Sequence, residues 1–124
     1  MKKITTLFLI VVFTGLGCSE SSKKAMNNNG WISLFNGKDL SGWKANEKEG
    51  CFSVEDGAIK ASNGRCHLFY VDDVQNADFK DFEFMAKVKT TPGSNSGIYF
   101  HTKYQERGWP KHGYESQVNI SHKD

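Results

Sequence analysis

The chain has 124 residues, 24% of them charged and 38% hydrophobic, with two prolines and three cysteines. That composition excludes a disordered or fibrous protein and makes one domain the ceiling. The formal charge of +2 rests on Lys2 and Lys3, without which acidic and basic residues are equal in number, so no basic surface for nucleic acid is indicated.

Lys2 and Lys3 lead into the apolar run LFLIVVF, the charged and apolar regions of a signal peptide in order. The run is too short to span a bilayer as a helix. Small residues follow in TGLGC, so residues 1–17 read as a lipoprotein signal and Cys18 as the lipidated residue, with Gly15 where such signals usually carry an aliphatic side chain. Acyl chains on Cys18 would hold the protein at a membrane at about 0.8 kcal/mol per buried methylene. The expectation is an exported protein, lipid-anchored in a bacterial cell envelope, in the periplasm or at the outer membrane. Residues 18–30, polar and poor in apolar side chains, read as a flexible tether.

From Trp31 onward the signals are all β. An apolar stretch from Trp31 to Phe35 is followed by the turn dipeptides Asn36-Gly37 and Ser41-Gly42. CFSVEDGAIKAS predicts two short strands joined at Asp56-Gly57, a strong hairpin signal, and SNGR then turns the chain into CHLFYV. Cys51 and Cys66 are an even pair in an exported chain. They could be bridged if their Cα atoms lie roughly 4.4–6.8 Å apart, or stand as separate thiols on different strands.

FEFMAKVK alternates most clearly, setting Phe82, Phe84, Ala86 and Val88 on one face, and is predicted as a half-buried antiparallel strand. Pro92, Gly93 and Gly97 break the pattern. IYFHTKY then resumes it, with Tyr99, His101 and Lys103 opposite Ile98, Phe100, Thr102 and Tyr104. After the loop QERGWPKHG, the stretch YESQVNI sets Tyr114, Ser116, Val118 and Ile120 on one face and Glu115, Gln117 and Asn119 on the other. No segment carries a helical period. The prediction is an antiparallel all-β sandwich, in which so much apolar face requires a second sheet.

Three stretches, GWISLFNGKDLSGWK, DFEFMAKVKTTPGSNSGIYFHTKYQ and GWPKHGYESQVNISHKD, resemble the 3-keto-disaccharide hydrolase domain family, over Gly30 to Asp124. The resemblance implies a jelly-roll sandwich of the concanavalin A-like lectin and glucanase type, about twice as long as residues 31–124. Those residues would then be its N-terminal part, inactive alone. It also implies activity on sugars oxidised at C3, and so a carbohydrate partner.

The family's Glu-x-Gln pair on the concave face maps onto Glu115 and Gln117, and its aromatic and histidine onto Tyr99 and His101. The Asn and His of QVN-x-x-H map onto Asn119 and His122. Ile120 stands where relatives commonly carry Asn, and Ser116 where they carry an aliphatic residue.

From spacing alone the row Glu115, Gln117, Asn119 reads as a solvated sheet face. With the resemblance it reads as a site. Glu115 and His101 are the candidate catalytic residues, because a carboxylate and a group titrating near neutrality are what proton transfer needs. Gln117, Tyr99, Asn119, Trp109 and His122 are the candidate substrate-binding residues, with Trp109 able to stack on a sugar's apolar face. A divalent metal is a compatible cofactor, since Glu115, His101 and His122 are of suitable ligand type. The expected chemistry is removal of the C2 proton beside the C3 ketone, elimination of the C1 substituent and hydration. A non-catalytic carbohydrate-binding module is the alternative.

Overall fold

A computed structural model of the protein describes residues 26–119. Cys18, Ile120 and His122 lie outside the described residues. Six short strands run in chain order, β1 (Trp43–Ala45), β2 (Phe52–Glu55), β3 (Ala58–Ala61), β4 (Leu68–Tyr70), β5 (Asn95–Phe100) and β6 (Tyr114–Asn119). They pair antiparallel as β1 with β4, β2 with β3 and β5 with β6. Among the described residues no regular helix forms, and Val74–Ala77 make one short turn in which Gln75, Asn76 and Ala77 adopt φ of 50°, 52° and 55°. The fold is all-β and antiparallel, and no described helix is long and apolar enough to cross a membrane.

The β2–β3 hairpin forms where the sequence places it. Glu55 pairs with Ala58, and the two residues between them, Asp56 and Gly57, have φ of 49° and 73°. Positive φ at both positions is the turn whose twist matches the flanking strands. Ahead of β1, Asn36 Oδ1 accepts from the amides of Lys38 (2.8 Å) and Asp39 (3.0 Å), and Asp39 Oδ1 accepts from the Ser41 amide (2.9 Å). Hydrogen bonds from Ser41 and Asn36 hold the Asp39 carboxyl at about 2. The Trp43 indole closes this segment by donating to the Leu34 carbonyl at 2.9 Å.

Cys51 and Cys66 are joined in a disulfide, with Cα atoms 6.5 Å apart. Cys51, at 1% exposure, and Phe69, at 7%, are the apolar residues fully buried among those described. Around Phe69 the core continues as edge-to-face ring pairs, Trp43 with Tyr70 at 5.3 Å and Phe69 with Tyr104 at 5.4 Å. Such pairs add about 0.5–1.5 kcal/mol each beyond their area.

Two strand expectations need correction. FEFMAKVK forms no ladder, and Phe82, Phe84, Met85 and Val88 stand exposed. Alternation specifies which face a strand would bury, but a strand exists only when a neighbour takes its backbone hydrogen bonds. IYFHTKY stops short as well. His101 has φ 54°, which turns the chain out of the ladder after Phe100. The strand instead begins earlier, so Gly97 lies inside β5 rather than in a turn.

Candidate functional site

The β5–β6 register sets Tyr99 opposite Glu115, Gly97 opposite Gln117 and Asn95 opposite Asn119. Residues directly opposite share a face, so the polar row of β6 is completed by a polar row of β5. Gly97 shapes it. A Cβ at that position would lie 2.6 Å from Glu115 Cγ and 2.7 Å from Cδ, so the missing side chain is what lets Glu115 lie along the ladder. There its carboxylate accepts a hydrogen bond from the Tyr99 hydroxyl. Beside it Gln117 Nε2 donates to Asn95 Oδ1 at 2.5 Å.

The bond to Glu115, followed by partial burial and the carboxylate's charge, holds the Tyr99 phenol above its ordinary value of 10.0. Because the folded form binds this proton more tightly, the bond's contribution to stability is complete below the ordinary value and lost as pH rises through the raised one. Gly97→Ala is expected to push Glu115 off the ladder and return Tyr99 towards its ordinary value. Tyrosinate absorbance against pH, taken as the difference from Tyr99→Phe, measures this. An unshifted Tyr99 titration would mean that Glu115 does not depend on the bare backbone at Gly97.

The same side of the molecule carries a histidine from another ladder. The His67 ring, just before β4, lies edge-on to Tyr99 at 5.9 Å and to Trp109 at 5.1 Å. Its Nδ1 is buried with no partner among the described residues. Burial pulls its pKa below the ordinary 6.5, against the opposing pull of the Glu47 carboxylate, so the ring is a neutral imidazole at neutral pH. Trp109 keeps 55% of its surface exposed. The Arg65 guanidinium lies over its ring at 5.9 Å, and Arg65 in turn donates to Glu47 at 2.9 Å.

The loop that carries Trp109 springs from the last β5–β6 pair, Phe100 with Tyr114. Gln105 organises it from within, donating to the carbonyls of Arg107 and Trp109 at 2.7 Å each and accepting from the Lys111 amide at 3.0 Å.

Of the residues named from sequence, Glu115, Tyr99 and Gln117 come together on one face, and Trp109 joins them through His67. Asn119 occupies the ladder position opposite Asn95. His101 is not brought to Glu115. Its ring packs 5.7 Å from both Phe82 and Phe100, and Phe100 stands on the face of β5 opposite to Tyr99. The break at φ 54° is the cause, since it removes the alternation that would have returned His101 to the Tyr99 side. His67 was not singled out from sequence, because no spacing rule links residue 67 to residue 115 across separate ladders. Its one local mark is the neighbouring Cys66. Among the described residues no three His, Cys, Asp or Glu side chains are placed to hold a metal ion.

The profile of the 3-keto-alpha-glucoside-1,2-lyase-like domain matches residues 30–124. A curated protein of Bacteroides thetaiotaomicron, a 3-keto-disaccharide hydrolase, is 31% identical over 88 residues, a match spanning 65% of this chain and 30% of that relative. No solved structure matches the chain at a significant level. With the matched region running from before β1 through β6 and taking in every residue of the polar face, the chain belongs to the 3-keto-alpha-glucoside-1,2-lyase-like domain family.

Proposed function

We propose that the face built by Tyr99, Glu115, Gln117, His67 and Trp109 binds a glycoside oxidised at C3 and that Glu115 is the base that starts its cleavage. The observation that carries this reading is the Glu115 carboxylate lying over Gly97, bonded to the Tyr99 hydroxyl, beside an exposed indole and a neutral imidazole. A carboxylate fixed beside an aromatic platform suits a sugar whose reacting hydrogen sits on a ring carbon.

The ketone at C3 acidifies the hydrogen on C2, so one base is enough where ordinary glycoside hydrolysis needs two carboxyl groups. Glu115 takes the C2 proton, and the C–H electron pair becomes the enolate. As the enolate reforms the ketone, a double bond forms between C1 and C2, the C1–O bond breaks and the departing alcohol takes up a proton. Water then adds at C1 and a proton returns to C2. Elimination alone is lyase chemistry, and elimination with hydration is net hydrolysis, so the family's name and the relative's name describe two extents of one sequence of steps. Gln117 and Trp109 orient the sugar, and His67 supplies a wall that can accept a hydrogen bond without carrying charge.

Residues 1–17 as an export signal, Cys18 as a lipid anchor in the cell envelope, residues 18–30 as a tether and residues 31–124 as the N-terminal part of a jelly-roll domain belong to the same reading, on the sequence pattern. The full-length protein is expected to cleave methyl 3-keto-α-glucoside and to leave methyl α-glucoside intact, as followed by release of methanol. Equal cleavage of both would remove the enolate route, and binding of the ketone without any turnover would favour a carbohydrate-binding module.

A further inference from the structure

Two residues just after β1, Asn46 and Glu47, stand behind the sugar face and hold its His67 backbone and the loop that carries Trp109. Asn46 is the polar residue fully buried among those described, at 3% exposure. Its Oδ1 accepts from the His67 amide at 2.7 Å, its own amide donates to the His67 carbonyl at 3.0 Å, and its Nδ2 donates to the Gly108 carbonyl at 3.4 Å. Next to it, the Glu47 carboxylate accepts from the Gly108 amide at 2.7 Å and from Arg65 at 2.9 Å, while the Glu47 amide donates to the Glu106 carbonyl at 3.2 Å. Both backbone polar groups of Gly108 therefore end on this pair, one residue from Trp109.

Glu47 adopts φ 60°, a conformation disfavoured for any residue with a Cβ, and retained where the surroundings over-determine it. Here the surroundings are the two things it grips. Its side chain keeps only 14% of its surface. Hydrogen bonds from Gly108 and then Arg65 hold its carboxyl below the ordinary carboxylate range, so it is an anion at neutral pH. Three of the groups the pair holds lead to the face described above. Gly108 precedes Trp109, His67 contacts Tyr99, and Arg65 lies over the Trp109 ring.

We propose that Asn46 and Glu47 are positioning residues of the sugar site, a latch that fixes the 105–111 loop against β4 and so sets Trp109 and His67 at a constant distance from Tyr99 and Glu115. The proposal rests on the reading of this face as a sugar site. Its consequence is a platform formed before the sugar arrives, so that binding does not have to order a loop. A residue acting in this way affects how well the ring is held rather than the proton transfer itself.

The test uses the full-length protein, methyl 3-keto-α-glucoside as the probe, and the variants Glu47→Ala and Glu47→Gln. The Gln side chain keeps an acceptor for the Gly108 amide and gives up the ion pair with Arg65. Glu47→Ala is expected to speed hydrogen exchange at Gly108 and raise KM by up to roughly tenfold, the scale of one lost aromatic contact to the sugar ring, with kcat little changed. Glu47→Gln is expected to recover most of both losses. Faster exchange at Gly108 with an unchanged KM would overturn the proposal and leave the pair a purely structural tie, as would a fall in kcat at constant KM. A parent protein that neither binds nor cleaves the probe would instead remove the sugar-site reading, while exchange at Gly108 would still report whether the latch exists.

Discussion

Glu115→Gln is expected to lower turnover of a 3-keto-α-glucoside by roughly 10²–10⁴-fold, the span that positioned proton transfer contributes, while binding persists. Gln keeps the shape of Glu and its capacity to accept from the Tyr99 hydroxyl, so the variant removes the base without dismantling the face. The bare backbone at Gly97 accommodates either side chain. The reading also dictates which parameter moves, since a group needed only in the transition state lowers kcat and kcat/KM together. Turnover that survives the substitution would move the base elsewhere, to His67 first, because it is the imidazole that stands on this side.

Reduction of the Cys51–Cys66 bridge carries the second large effect. The bridge closes a loop with a sequence separation of 15, for which loss of the cross-link costs about 3 kcal/mol in the chain-entropy account. Against a whole-domain stability of about 5–15 kcal/mol, that is a large share. It falls on residues that bury few apolar side chains, with Cys51 itself among them. Thermal melting of the whole domain with and without reductant should differ by roughly 6–12 °C, at about 2–4 °C per kcal/mol for a domain about twice the length of residues 31–124. Cys66→Ala should reproduce the shift without chemical reduction, and identical melting in all three cases would show that the β2–β3 hairpin is held by its ladder alone. The bridge also ends between Arg65 and His67, so the reduced protein is expected to lose sugar affinity before it unfolds.

How much of this was legible in the sequence depends on how local the signal is. Asp56-Gly57 announces its hairpin because the turn's positive φ values are a property of two adjacent residues. The polar row of β6 was legible from alternation, and so was the place of Tyr99 beside Glu115, whereas the rest of the partner row is Gly97 and Asn95 and not His101 and Lys103. What was not legible crosses ladders. His67 reaches Tyr99 only because the chain before β4 is pinned to residues 46 and 47, and no period in CHLFYV encodes that.

His101 shows the opposite failure. Alternation carried it to the Tyr99 face, whereas one left-handed residue ended the strand and delivered the ring to Phe82. FEFMAKVK has the cleanest period in the chain and forms no ladder. Its pattern describes the surface it would present to a neighbouring strand, and pattern alone cannot supply the neighbour. Gly97 read as a turn residue because glycine usually breaks strands. In the fold it does the other thing glycine allows, close approach, and the side chain that approaches is Glu115.

The central claim is that the Glu115 face begins its reaction at the C2 hydrogen. It is tested most directly by running the full-length protein on methyl 3-keto-α-glucoside carrying deuterium at C2, in ordinary water. Proton abstraction predicts a primary isotope effect on cleavage and a product in which the C2 deuterium has been exchanged for solvent hydrogen, both lost in Glu115→Gln. Cleavage at an undiminished rate, with the deuterium still on C2 of the released sugar, would contradict it.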